Sequence, residues 1–240
     1  IPLIGNYDTG YVIGLTDEGY KVCKKALMFD VDKEEFNSVD PLLFKHLSLG
    51  KFFDRITRKD NLLESAYLHV TQRCNLSCRG CYSNNNQRNS IPDASLEDIK
   101  KAVNDLAKCG LKNLIISGGE PFLRKDLPEI IRYVKEKCYI SSIAVLTNGT
   151  VVDDVALMQM REYVDKISVS FDGYSNACPA YIRKAQRFNE LVGTVKKIQR
   201  AGIPVHIIPT IHSKNINDLE EYLMLSSSLG VTLNFSLLSC

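Results

Sequence analysis

Three cysteines, Cys74, Cys78 and Cys81, fall within the stretch Cys-Asn-Leu-Ser-Cys-Arg-Gly-Cys. Thiols spaced this closely can converge on one inorganic group. A structural zinc site takes four protein ligands, usually as two close pairs. Three thiolates with no fourth nearby suit a cubane iron–sulfur cluster whose fourth iron stays open to another ligand. The alternative reading of the same residues is a partial zinc knuckle or a redox thiol cluster.

Further along lie other residues with chemical potential. Ser117-Gly118-Gly119-Glu120-Pro121 combines two glycines that permit close backbone approach, a carboxylate able to accept from an ammonium, and a proline that fixes the turn. By itself this is only a tight turn. Thr147-Asn148-Gly149 has the residues of a turn with positive φ. Ser170-Phe171-Asp172-Gly173 offers a hydroxyl and a carboxylate, for a ligand or for capping its own turn. Arg183 supplies a planar two-pronged donor of the kind that grips a carboxylate, or else a solvated surface charge.

All of these residues need positioning, and the pattern of the chain shows by what. Six apolar runs, 66–71, 113–117, 142–147, 166–171, 205–210 and 232–237, read as strands. Helical periodicity separates them, as in Ile99, Ala102, Val103, Leu106 and Ala107, with Ser95 and Asp98 forming a capping box. Another helix runs through Val155, Leu157 and Met158, and the last is capped by Asn217. Continuous apolar strands of this type belong to a parallel sheet covered by helices. The fold class is therefore α/β, and right-handed crossovers wind it into either a barrel or an open sheet. In α/β barrels the loops after the strands build the site, and the residues above fall in those loops.

The cysteine spacing, followed one strand later by Gly-Gly-Glu-Pro, resembles the radical S-adenosylmethionine (SAM) enzymes. Asn75-Leu76 after the first cysteine and Ser-Phe-Asp-Gly are similar to the peptide- and protein-modifying, SPASM-type branch. The resemblance covers residues 66 to 237 and implies a partial (β/α)6 barrel of parallel strands. It implies that Cys74, Cys78 and Cys81 hold a [4Fe–4S] cluster whose open iron binds S-adenosyl-L-methionine. One electron would cleave SAM to a 5′-deoxyadenosyl radical that abstracts hydrogen from a substrate. Gly118, Gly119, Glu120 and Pro121 would hold the SAM amino group. Asn148 would lie near the cofactor, Ser170 and Asp172 near the ribose, and Arg183 at the SAM carboxylate. The family usually has an aromatic residue just before the third cysteine; here that residue is Gly80, and Tyr82 is expected to cover the adenine side instead.

The implied substrate is a ribosomally made peptide that receives a thioether or carbon–carbon crosslink, with flavodoxin or ferredoxin as electron donor. The alternatives are a small-molecule substrate, a haem precursor or a nucleotide, and a non-catalytic metal-binding protein. Residues 1–65 read as a separate small α+β unit with a strand at Tyr11–Leu15 and helices beginning near Thr16 and Asp40. In the branch this position often holds a leader-recognition domain; the residues read equally as an embellishment that only caps the barrel. Residues 66–240 would form the barrel core. A C-terminal cysteine-rich extension is expected to be absent from this chain, with Cys240 a candidate start of one.

Composition narrows the classes. A net charge of +2 over 240 residues, with no long basic run, gives no nucleic-acid surface. No stretch has the length of a membrane span and the N-terminus lacks a signal-peptide layout, so a cytoplasmic location is expected. Of the eight cysteines, Cys109 and Cys138 read as small buried hydrophobes near helix ends. Cys178 has no evident partner, and the strand histidines His69 and His206 read as hydrogen-bonded core residues without a catalytic role.

Overall fold

The structure is a computed structural model that describes residues 2–6, 11–28, 37–38, 40–53, 63–183 and 185–238. Cys240 lies outside the described residues. The chain divides into two compact units, Ile1–Asp60 and Asn61–Cys240.

The first unit opens with an antiparallel pair, β1 (Leu3–Asn6) and β2 (Tyr11–Gly14). The sequence pattern predicts β2 but not β1, whose Gly5-Asn6 half reads as a turn. Helix α1 (Asp17–Met28) follows, with Gly19 N donating to Thr16 Oγ1 at 3.0 Å. Helix α2 (Pro41–Leu49) has Pro41 in its first turn and Asp40 as N-cap, accepting from Leu43 N. Leu15, Cys23, Leu43 and Leu47 form the small core of this unit.

The second unit alternates strand and helix. Its elements are β3 (Ser65–His69), α3 (Leu96–Lys108), β4 (Asn113–Ser117), α4 (Leu127–Lys137), β5 (Ser142–Thr147), α5 (Asp154–Met160), β6 (Lys166–Phe171), α6 (Phe188–Arg200), β7 (Val205–Ile211) and α7 (Leu219–Leu229). Two short strands, β8 (Thr232–Leu233) and β9 (Ser236–Leu237), complete it. Strand order is β3-β4-β5-β6-β7-β8, every neighbour parallel, with β9 also paired to β7.

All five helices pack on one face. Ile99 and Val103 of α3, Ile130 and Val134 of α4, Leu157 and Met160 of α5, Leu191 and Val195 of α6 and Leu225 of α7 share one core. The strand residues that meet them are Leu114, Ile116, Ile143, Val145, Ile167, Val169, Val205 and Ile207. With the helices on one side only, the twisted parallel sheet curls into the six-stranded half-barrel expected from the sequence.

Local departures have physical causes. The last predicted strand, 232–237, breaks at Asn234-Phe235: Asn234 N donates to Ile207 O, and the Phe235 ring turns edge-on to Tyr222 at 6.3 Å. In α5 the buried residues are Leu157 and Met160, while Val155 and Met158 face solvent. Asp218, not Asn217, is the N-cap of α7. Cys109 is exposed because it ends α3 on the solvent side. Cys138 is half-buried and donates to Asn104 Oδ1 at 3.3 Å.

Candidate active site

The loops after β3, β4, β5 and β6 meet at one end of the half-barrel, and hydrogen bonds tie each to the next. The cysteine loop follows β3. Thr71 Oγ1 and the Arg73 guanidinium both bond the Asp93 carboxylate, at 2.5 Å and at 3.1 and 2.5 Å. Burial works against the Asp93 charge, but the bonds from Arg73 and Thr71 outweigh it and hold its pKa below the usual carboxylate range. Cys74 N donates to Asn89 Oδ1 at 2.9 Å, and buried Arg88 donates to Leu76 O. Arg79 N donates to Ile182 O at 2.8 Å, which fastens the loop to the segment after β6.

The β4 loop lies directly against the cysteine loop. Gly119 N donates to Thr71 O and Glu120 N to Arg73 O, both at 2.8 Å. A Cβ on Gly118 would stand 2.3 Å from Thr71 O, and one on Gly119 would stand 2.1 Å from Arg73 O. The two glycines are therefore required by backbone packed on backbone, an approach the sequence predicts toward a ligand. Pro121 opens a single 3-10 turn, Pro121–Leu123.

Glu120 is 0% exposed. Its Oε1 accepts from Phe122 N at 3.1 Å and Thr147 Oγ1 at 2.8 Å, and its Oε2 accepts from Asn148 N at 2.7 Å. Burial pushes its pKa up, against these donors and the charge of Arg183. The carboxylate thus braces the β5 loop from within. Asn148, so held, reaches back: its Nδ2 donates to Asn75 Oδ1 at 2.9 Å and lies 3.8 Å from Cys74 Sγ.

After β6, Asp172 is buried and its Oδ2 accepts from Ile182 N and Arg183 N at 3.0 and 2.9 Å, so it closes the loop from 172 to 183. Ser170 is half-buried on the strand just before it. Arg183 is 8% exposed, and its Nε and Nη1 are buried with no hydrogen-bond partner among the described residues. Burial holds its pKa below the ordinary guanidinium value, while Cys78 and Asp172 favour its charge. Burial likewise raises the Cys78 thiol, offset by Arg183 and reinforced by Cys81 and Cys74.

The three thiols are thus near enough to feel one another, with a buried cation short of acceptors beside them. Among the described residues no Cys, His, Asp or Glu group is drawn together tightly enough for a single metal ion. A cluster takes each thiolate at a different iron, so its sulfurs need not meet at one point. The donor set fits such a group, and the unpartnered edge of Arg183 fits an anionic ligand on it.

Tyr82 and Cys178 stand apart from that centre. Tyr82 is 77% exposed and stacks on His69 rather than folding over the loop. The space a side chain at Gly80 would take is entered by Leu238, whose Cδ1 lies 2.8 Å from a Cβ placed there. Cys178 lines a cavity of about 180 Å3 with Tyr174, His212 and Tyr222, one that Asp172 borders but none of the three loop thiols does, and its Sγ is 3.4 Å from Ser175 Oγ. His69 and His206 are not core residues: His69 is exposed and His206 half-buried, both on the sheet face opposite the helices.

Comparison with known proteins places this geometry. Fe-coproporphyrin III synthase of Methanosarcina barkeri (strain Fusaro / DSM 804) is 32% identical over 152 residues, 63% of this chain and 38% of its own length. A probable GTP 3′,8-cyclase of Methanococcus maripaludis is 33% identical over 147 residues, covering 61% and 48%. This chain therefore spans about half the length or less of these relatives. In fold it is similar to Streptococcus suis SuiB bound to precursor peptide SuiA, with a TM-score of 0.64 at 14% identity over 99% of this chain and 60% of that one. The profile of the Radical SAM superfamily matches residues 68–225. The chain belongs to the radical SAM superfamily, whose members use a [4Fe–4S] cluster and SAM.

Proposed function

We propose that this chain is the catalytic core of a radical SAM enzyme that modifies a ribosomally made peptide, forming a thioether or carbon–carbon crosslink. The observation that carries the radical SAM part is the three-thiol loop at the end of β3, with the buried, partner-less edge of Arg183 beside Cys78. When bound, the cluster and SAM supply one-electron cleavage of the sulfonium and, from it, hydrogen-atom abstraction from a substrate. The chain's own residues do the holding. Cys74, Cys78 and Cys81 would carry the irons, and Arg183 would receive the SAM carboxylate. Asn148 orients Asn75 next to the first thiolate, Glu120 keeps Asn148 in place, and Asp172 shapes the turn that presents Arg183. The backbone of Gly118 to Pro121 would lie toward the SAM amino group and Ser170 toward the ribose, while Tyr82, stacked on His69, is left outside the cofactor site.

Support for a peptide substrate comes from the fold, since the likeness to SuiB runs through the N-terminal unit as well as the half-barrel. In this reading residues 1–65 recognise a leader peptide. A groove of about 400 Å3 lined by Val12, Ile13, Leu42 and Leu43 offers the apolar surface for it. The electron donor is a flavodoxin or ferredoxin and the setting cytoplasmic, with neither nucleic acid nor membrane involved. Among the described residues, no helix is long and apolar enough to cross a membrane. A second reading, a small-molecule substrate such as a haem precursor or nucleotide, is favoured by the sequence likeness to the two enzymes named above.

The test is anaerobic reconstitution with iron and sulfide, reduction with SAM present, and assay of 5′-deoxyadenosine, with Cys78→Ala as control. Product that vanishes in the variant supports the radical chemistry. Absence of any cluster refutes it. Leader recognition fails if deleting residues 1–60 leaves peptide affinity unchanged.

A further inference from the structure

Helices cover one face of the curled sheet, and strand alternation turns the other set of side chains onto the opposite, concave face. Register aligns part of that set into a single row. His69 pairs with Ser117, Leu146 with Ser168, and Ser168 with His206, while Ile116 opposite Val145 makes Ser117 and Leu146 the next neighbours. Strands about 4.8 Å apart put the two histidines at most about 19 Å from each other, the reach of about six extended residues.

A neighbour fixes each imidazole. Tyr82, beside Cys81, stacks on His69 with ring centroids 5.6 Å apart, its hydroxyl 3.0 Å from Nε2. At the other end, Asn234 Nδ2 lies 3.0 Å from His206 Nδ1. An amide nitrogen only donates, so His206 Nδ1 accepts and the proton of the neutral ring sits on Nε2. Burial and the charge of Lys166 lower the pKa of His206, which keeps the ring neutral at neutral pH. Among the described residues Nε2 has no partner, leaving an N–H free to donate. The row therefore presents the neutral His206 imidazole beside the Asn234 amide at one end and His69 with the Tyr82 hydroxyl at the other, with half-buried Ser117 and Leu146 and buried Ser168 between them. Lys166 stands opposite Ala144, one row away. Neutral donors of this kind suit amide carbonyls; phosphates and carboxylates are matched by arginine and lysine clusters.

We propose that His206 with Asn234, and His69 with Tyr82, hold an extended peptide across the concave face by its main-chain carbonyls, selecting a neutral amide chain over phosphate- or carboxylate-bearing small molecules. This rests on the peptide reading above and names its specificity residues.

The experiment uses the cluster-loaded chain with SAM and 15N-labelled histidine rings; with four histidines in the chain, the lines are assigned by substitution. The probes are acetyl-Ala-Gly-Ala-Gly-Ala-Gly-amide, which offers little beyond main chain, GTP and coproporphyrin III. The hexapeptide is expected to shift the His206 lines. His206→Phe and Asn234→Leu should each weaken it about five- to tenfold, and His206→Asn, which keeps a donor, should stay within about threefold of wild type. GTP or coproporphyrin III shifting those lines in place of the peptide would overturn the selectivity. If no probe moves them, the row is not the binding site. Iron content and SAM cleavage in the same preparations report on the radical chemistry independently. Anisotropy of a fluorescein-tagged hexapeptide reports peptide binding wherever it occurs, so a peptide that binds without moving His206 removes this site and leaves the peptide reading intact.

Discussion

Replacing Glu120 separates two roles for its carboxylate, a brace or a ligand group. In Glu120→Ala, Phe122 N, Thr147 Oγ1 and Asn148 N all lose the acceptor they hold at 2.7 to 3.1 Å in a fully buried position. Each orphaned buried donor costs about 1 to 3 kcal/mol, and water entering the vacated space recovers part of it. A net loss of about 3 kcal/mol is expected, or about 6 to 12 °C in Tm for a chain of this size. Glu120→Gln keeps Oε1 for Phe122 and Thr147 but turns an NH2 toward Asn148 N, so about half that loss is expected. Urea unfolding of the cluster-free chain, followed by far-ultraviolet circular dichroism, measures both without SAM present. If both variants unfold within about 0.5 kcal/mol of wild type while SAM affinity falls, the carboxylate is a ligand group and the brace is refuted.

Four further outcomes are expected. Gly119→Ala drives a Cβ to 2.1 Å from Arg73 O, so a loss of at least about 3 kcal/mol and of iron content should follow, measured by unfolding and iron assay. Arg183→Met removes a buried cation short of acceptors; the cluster-free chain should keep or gain up to about 2 kcal/mol, while SAM binding by equilibrium dialysis weakens at least about tenfold. The pKa of Asp93 is lowered on folding, so its stabilisation is full above the ordinary carboxylate range and fades as pH falls through the folded value. The stability gap between wild type and Asp93→Asn should thus be constant near neutrality and close below about pH 4 in acid titrations of unfolding. Cys178→Ser, in a cavity that none of the three loop thiols lines, should leave iron content unchanged, in contrast to Cys78→Ala.

The half-barrel was legible because its central strands are continuous apolar runs: the boundaries of β4, β5 and β6 match the pattern residue for residue. The cysteine loop and Gly-Gly-Glu-Pro were legible as motifs, since residue type and spacing carry them. What the motifs do to one another was not. That Gly118 and Gly119 face the backbone of Thr71 and Arg73, and that Glu120 points into the protein toward Thr147 and Asn148, depends on which loops become neighbours. The same holds for the histidines. Each is an isolated histidine in its strand, and only the register across β3 to β7 puts His69 and His206 in one row. The broken last strand turns on the packing of Phe235 against Tyr222, a contact no local window contains.

The interlocked loops also bear on the order in which the protein is made competent. The segment Thr71–Arg73 has its backbone seated on Gly118 and Gly119, so the cysteine loop is finished only after α3 has formed and β4 has docked beside β3. A nascent chain that has delivered all three cysteines to solvent still has no shaped receptor for a cluster. A cluster assembled on the folded loop would thus meet thiols already spaced by these backbone contacts rather than a string of loose ones. Grafting the cysteine loop onto another scaffold without its glycine-bearing partner would transfer the ligands and leave behind the part that sets their spacing.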